Sequence, residues 1–187
     1  FPYTTLFRSP DIIMIGEIRD LETAEISVQA ALTGHLVLST LHTNDSVGAI
    51  PRLTDMGVAP FKIAAALVGV IAQRLTRRIC LHCKSTYYPN PTVLDSIRYS
   101  GDRNRQFMRG SGCEKCYDTG YRGRVGIYEL LEVNRELRDL IAKNAPIEQL
   151  RATAAANGFR SLGEQAIDLV EQGATSLDEI LRVAVFE

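Results

Sequence analysis

Four cysteines carry the strongest chemical signal in the chain. Cys80 and Cys83 form one C-x2-C pair, Cys113 and Cys116 form a second, and twenty-nine residues separate the pairs. Two residues between cysteines let both sulfurs of a knuckle face one ion. Two knuckles complete a tetrahedral S4 shell, which suits zinc. Four thiolates leave no open coordination position, so the ion would be structural. The separating stretch exceeds the roughly 15–20 residues of the commonest zinc spacing, so it must form a loop or hairpin of its own. Ordinary buried cysteines or a redox pair are the alternatives; two matched pairs bracketing a Pro/Gly-rich insert favour metal. His82 sits between the first two ligands and reads as a bystander.

A second signal is an acid after an apolar run. Glu17 is the first charged residue after IIMIG. At the C-terminal edge of a strand, such an acid can hold magnesium through water or orient an attacking water. Taken alone, it equally suits a solvated strand end. His35 and His42 bracket the next apolar run, HLVLSTL. If the two runs are parallel neighbouring strands, His42 shares an edge with Glu17.

The elements that must position these residues follow from periodicity. DIIMIGE reads as a buried strand of a parallel sheet. Asp20 suits a helix N-cap, and Leu21, Ala24, Val28, Ala31 and Leu32 recur at helical spacing up to Gly34. Strand, helix and strand make a βαβ unit. Thr43, Asn44 and Asp45 can cap another helix ending near Gly57, with Pro51 tolerable only if that helix starts late or kinks. Pro60 suits the first turn of a long helix predicted to run through Arg74. After the cysteine module, VGIYELLEV alternates and reads as a strand. Helices are expected at 135–144, 146–156, 161–173 and 177–183, opened by Asn134, Pro146, Ser161 and Ser176.

Composition bounds these readings. The 187 residues include 45% apolar residues and carry a net charge of −1, so a folded core is affordable and a generally basic nucleic-acid binder is disfavoured. No apolar run reaches the roughly 18–20 residues of a membrane span. No signal peptide is visible, so the default compartment is the cytoplasm, where paired cysteines are more often metal ligands than disulfides. Residues 1–9, FPYTTLFRS, resemble a translated sequencing adapter and are set aside as a scar. The natural sequence is then expected to start at Pro10, with the chain a fragment.

The stretch MIGEIRDLETAEISVQAALTGHLVLSTLHTND resembles the Walker B and histidine boxes of the secretion ATPase superfamily, the motors of type II secretion and type IV pilus assembly. DMGVAPF, AQRL, the tetracysteine module, GYRGRVGIYELL and QGATSLDEILRV extend the likeness from Pro10 onward. The tetracysteine module resembles the type II secretion and pilus-extension branch. The resemblance implies an α/β fold: a partial RecA-like P-loop NTPase core with an inserted zinc module and a helical C-terminal subdomain. Its boundaries would be 10–79 for the rear of the ATPase core, 80–121 for the zinc module and 122–187 for the helical part. It implies Glu17 as the Walker B acid and His42 as the histidine near the γ-phosphate. His35 would be a coupling residue, and Arg19, Arg52 and Arg74 would lie at the nucleotide or a subunit boundary. For the three arginines, a surface or structural ion pair is the alternative.

The implied cofactors are structural Zn2+, with Mg2+ and ATP in the intact protein. The implied partners are five further copies in a hexamer, an inner-membrane platform protein and a cytoplasmic scaffold, so the protein would be cytoplasmic and peripheral on the inner membrane. No G-x4-G-K-[ST] loop occurs in the chain, and the family's upstream aspartate box is also missing. The chain alone is therefore expected to be inactive and to leave an apolar strand edge unpaired. A competing reading is a zinc-ribbon binding module for nucleic acid or protein, with Arg77, Arg78, Lys84, Arg98, Arg103, Arg105 and Arg109 as a basic face. Interleaved acids and the lack of an aromatic stacking motif weigh against it.

Overall fold

The computed structural model describes residues 10–183, so the nine residues read as an adapter scar lie outside the described part. Two compact units emerge, each built from two stretches of chain. The first joins the segment up to Val70 with Leu131–Phe159; the second joins Ile71–Leu130 with the segment from Arg160 onward.

In the first unit, β1 (Ile12–Ile15), α1 (Leu21–Leu32) and β2 (Leu36–Ser39) form the expected βαβ unit. The strands are parallel, with Ile12 opposite Leu36 and Ile15 opposite Ser39. Asp20 caps α1, its Oδ1 accepting the Thr23 N–H at 2.8 Å. Gly34, at φ +99°, turns the chain out of the helix in a conformation that disfavours a Cβ. Helix α2 (Ala49–Asp55) does start late. Pro51 is its third residue, where a backbone N–H would have no intrahelical acceptor.

One expectation fails here. The helix opened by Pro60, α3, ends at Ala66 and does not reach Arg74; Gly69–Ile79 is instead strand β3. The β-branched Val68, Val70 and Ile71 favour extended backbone, and the pairing of β3 with β6 (Tyr121–Glu132) supplies hydrogen bonds that a continued helix would forgo. At its start the Val133 N–H donates to the Val68 carbonyl at 2.9 Å. A Cβ on Gly69 would lie 3.1 Å from the Leu131 carbonyl, so the strands meet closely at this point.

Helices α5 (Arg135–Ala142) and α6 (Ile147–Ala156) complete the first unit. Asn134 caps α5 through the Leu137 N–H at 2.9 Å. Helix α5 packs on α3 and α6, and α3 packs on α1. Ala24, Val47, Ile50, Ile63, Leu137 and Leu150 are central to the buried cluster. Ile12, Met14, Leu36 and Leu38, which share one face of the β1/β2 sheet, remain exposed.

The second unit contains most of β3 and β6. Between the cysteine pairs, β4 (Lys84–Tyr87) and β5 (Phe107–Gly110) pair antiparallel, Lys84 opposite Gly110. The long insert therefore does make a hairpin, with the short helix α4 (Pro91–Ser96) in its connection. Its core joins Leu94, Ile97, Tyr99 and Phe107 to Ile127, Leu162, Ala166 and Ile180. Helix α7 (Leu162–Glu171) begins with the capping box of Ser161 and Glu164. The buried Glu129 of β6 adds a carboxylate at the same helix N-terminus, accepting the Leu162 N–H at 2.7 Å. The helical C-terminal third is thus shared between two cores, α5 and α6 in one, α7 and α8 (Leu177–Val183) in the other.

Helix α8 is tied to β3 by Glu179. Its carboxylate accepts the Arg77 backbone N–H at 3.1 Å and the Arg77 side chain at 2.9 and 2.6 Å. Burial alone would raise the carboxyl's pKa, but the Arg77 bonds and the Arg182 charge outweigh it and hold the group below its ordinary value. A depressed carboxylate stabilises the fold above its unfolded-state pKa and loses that contribution as pH falls through the folded-state value. Arg77→Ala should cost about 1.5–3 kcal/mol at neutral pH, read from urea midpoints. Glu179→Gln should flatten the acid limb of the stability curve; a limb as steep as the parent's would show that the pair is not coupled to folding.

Candidate functional site

Two constellations stand out, one in each unit. The first lies where β1 and β2 end together. Beyond β2, Thr40 fastens the two chain exits, its carbonyl accepting the Ile18 N–H at 2.9 Å and its Oγ1 donating to the Gly16 carbonyl at 2.7 Å. This clip sets Glu17 beside His42, with His42 Nε2 3.2 Å from Glu17 Oε2. Arg19 closes the group, its Nε 2.6 Å from the same oxygen. Arg19 lowers the Glu17 pKa most, through its hydrogen bond and then its charge; partial burial opposes it, and His42 adds a smaller lowering. Glu17 is therefore held as the anion and could accept a proton or bind a cation through water. Its side chain is 31% exposed and that of His42 83%, so the corner is open to solvent.

Of the residues named from sequence, the structure brings together Glu17, His42 and Arg19. His35 stands at the opposite end of β2, its Nδ1 3.1 Å from both the Ala30 carbonyl and Thr33 Oγ1, where it closes the end of α1. Arg52 is exposed on α2. Arg74 lies on β3 in the other unit, with Nη1 3.4 Å from the Gln73 carbonyl. Sequence reasoning gave Asp45 only a capping role. Its Oδ1 accepts the Gly48 N–H, but Gly48 is itself the N-cap of α2 and that helix has no side-chain cap; the second oxygen of Asp45 pairs with Arg151 of α6 at 2.8 Å. That partner is 106 positions away, and no spacing rule reaches so far.

The second constellation is the cysteine cluster. Strand β3 delivers Cys80, whose N–H donates to the Gly120 carbonyl at 2.9 Å. Cys83 closes its own turn on the Cys80 carbonyl at 3.3 Å and leads into β4. Cys113 precedes the 3-10 turn Glu114–Cys116 and Cys116 ends it, and the chain leaves through Tyr117 and Asp118, at φ +52° and +57°. The four sulfurs lie within 4.8 Å of one another. Individual separations are 3.9 Å for Cys80–Cys113, 3.8 Å for Cys83–Cys116 and 3.7 Å for Cys113–Cys116. A metal–sulfur bond of about 2.3 Å gives a tetrahedron with edges of about 3.8 Å, so the donor set fits one tetrahedral ion. No sulfur pair approaches the roughly 2.05 Å of a disulfide.

The thiols also compete for charge. Burial pushes Cys83 up to about 12 and raises Cys113. Burial acts on Cys116 as well, yet the N–H groups of Cys113 and Gly120 outweigh it and bring that thiol down to about 7. Four sulfurs this close cannot all ionise without a cation among them, and a divalent ion supplies that charge. His82 is exposed beside the cluster and is not among its ligands.

Known proteins resemble this chain in sequence and in fold. A family model described as "Type II/IV secretion system protein" matches residues 4–182. The chain is 48% identical over 178 residues to the type IV pilus assembly ATPase PilB of Thermus thermophilus, covering 94% of this chain and 20% of that protein. It is 49% identical to the type II secretion system protein HxcR of Pseudomonas aeruginosa, covering 95% of this chain and 34% of that one. For the type II secretion system ATPase E of Vibrio cholerae, the identity is 47% and the coverage 95% and 35%. The chain thus spans a fifth to about a third of these relatives. Among solved structures, the pilus retraction motor PilT with bound ADP matches at a TM-score of 0.64 with 27% identity, over 97% of this chain and 41% of that one. The Legionella pneumophila ATPase DotB, at 23% identity and a TM-score of 0.63, supports the fold. The fold class is therefore the RecA-like α/β class expected from the resemblance.

Removing the arginine that dominates the Glu17 corner gives a direct check. Arg19→Ala should raise the Glu17 carboxyl pKa, followed by carbon-detected titration. An unchanged titration would mean that the 2.6 Å contact is not held in solution.

Proposed function

Because the chain belongs to the type II/IV secretion system protein family, we propose that it is part of a hexameric ATPase that powers type II secretion or type IV pilus assembly. The observation that carries this reading is Glu17 facing His42 at the shared C-terminal edge of two parallel strands, within a family match spanning nearly the whole chain. Ligands of α/β sheets bind at this edge.

In this reading, Glu17 acts as an anion at its Oε2, where it would hold a Mg2+-bound water or accept the proton of the reacting water. His42 supplies an N–H toward the γ-phosphate side, and Arg19 keeps Glu17 ionised. ATP with Mg2+ would supply the phosphoryl chemistry. His35 acts indirectly, by fixing the join between α1 and β2. Arg52 and Arg74 serve the nucleotide or a subunit boundary. The ATPase acts through movement of rigid subunits against an inner-membrane platform protein and a cytoplasmic scaffold, which places it in the cytoplasm, peripheral on the inner membrane. Among the described residues, no helix is long and apolar enough to cross a membrane. Cys80, Cys83, Cys113 and Cys116 hold Zn2+ as a structural ion.

Four of the seven basic residues of the rival nucleic-acid reading are engaged in contacts within the chain. Arg77 is paired with Glu179 and lies 4.2 Å over the Tyr121 ring, while Arg103 and Arg105 are paired with Asp95 and Glu171. Arg109 lies over Tyr87.

Phosphate release tests the catalytic assignment. In a family-length polypeptide that carries a P-loop together with this chain, Glu17→Gln should lower turnover by about 10²–10⁴-fold; retained turnover would overturn the role of Glu17. The 187-residue chain, which has no P-loop sequence, should release no phosphate above background. Metal analysis of the reduced chain should find about one zinc, and chelation should speed amide exchange in β4 and β5. Far less than one zinc in a folded sample would sink the metal assignment.

A further inference from the structure

His42 is the most exposed member of its site, with 83% of its side chain open to solvent. A ring so little packed takes its position from the backbone on either side. Upstream, the Thr40 clip to Gly16 and Ile18 fixes the chain, and Leu41 packs against the buried cluster. Downstream, the fixed point is Asp45, three residues beyond the ring. Thr43 Oγ1 donates to the Asp45 carbonyl at 2.9 Å. The two carboxylate oxygens then divide their work: Oδ1 accepts the Gly48 N–H at 2.6 Å, and Oδ2 accepts Arg151 Nη2 at 2.8 Å.

Arg151 is firmly placed for this contact. It follows Leu150 on α6, and Leu150 and Ala154 are buried in the same cluster as Val47, near the end of the loop, and Ile50 and Leu53 of α2. The pair is largely shielded, with 29% of the Arg151 side chain and 24% of that of Asp45 exposed, so solvent screens it less than a surface pair. Gly48 leaves room for it: a Cβ there would lie 3.1 Å from Asp45 Oδ1.

We propose that Arg151 is a positioning residue for His42, holding the loop 42–48 through Asp45 so that the imidazole faces Glu17. The proposal rests on the reading of Glu17 and His42 as the reacting corner. It gives α6, far along the chain, a direct mechanical hold on that corner.

The test uses the 187-residue chain and needs no turnover. The imidazole resonance of His42, one of three histidines, is assigned with His42→Gln. Arg151→Met keeps the apolar stem and removes the charge. It should move the His42 resonance at least halfway to its position in Glu17→Gln and speed exchange of the Gly48 amide about tenfold. Arg151→Lys should restore most of both. With Glu17→Gln already present, Arg151→Met should move His42 no further. The proposal is overturned if Gly48 exchange is unchanged in Arg151→Met, or if it accelerates only as much as the amides of α6 do. It is also overturned if His42 moves equally with and without Glu17, which would mark a direct charge effect. Should Glu17→Gln alone leave His42 unmoved, the pairing of those two residues fails instead, and Gly48 exchange still decides the role of Arg151.

Discussion

The four-residue parallel ladder between β1 and β2 is the interaction on which the Glu17 corner depends. Parallel pairing brings both strands to the same edge at once, so residues just past each end become neighbours although twenty-five positions separate them. An antiparallel pairing would have sent Glu17 and His42 to opposite ends. The Thr40 clip then removes the remaining freedom, since one residue bonds to the backbone on both sides of Glu17. The chemistry of the corner is thus a consequence of strand direction more than of local packing, and this is why both side chains can remain open to solvent.

The cysteine cluster solves a different problem. The hairpin of β4 and β5 is short, and a two-stranded ribbon of that length is marginal in water. It gains support from its own Phe107, buried with Leu94 and Tyr99, and from the sulfurs at its base. Tyr99 adds a hydrogen bond to Glu171 at 2.6 Å, and Arg105 reaches the same carboxylate at 3.1 Å. A bound ion would act as covalent cross-links do in small extracellular domains, where core volume is also scarce.

Much of this was legible in the sequence, and the exceptions have physical causes. The βαβ unit, the caps at Asp20, Asn134 and Ser161, and the four-sulfur cluster depend on contacts a few residues apart or on a spacing with one chemical meaning. The end of α3 was not legible, because Leu67–Arg74 carries apolar residues at spacings that suit a helix as well as a strand. Pairing with β6, more than fifty positions on, decides between them. The Asp45–Arg151 and Arg77–Glu179 pairs were hidden for the same reason. His35 and His42 look alike in sequence, each flanking an apolar run. Strand direction alone gives one of them to the Glu17 corner and the other to the end of α1.

Where the chain enters and leaves the cysteine cluster, main chain meets main chain. A Cβ added to Gly110 would lie 2.0 Å from the Gly120 carbonyl, and one on Gly120 would lie 2.6 Å from that of Gly110. The base of the loop 111–119, which carries the second knuckle, is therefore closed by peptide groups with no side chain between them. Substitutions in the surrounding hairpin can alter charge and packing without touching this closure, whereas at these two glycines any side chain would strike main chain.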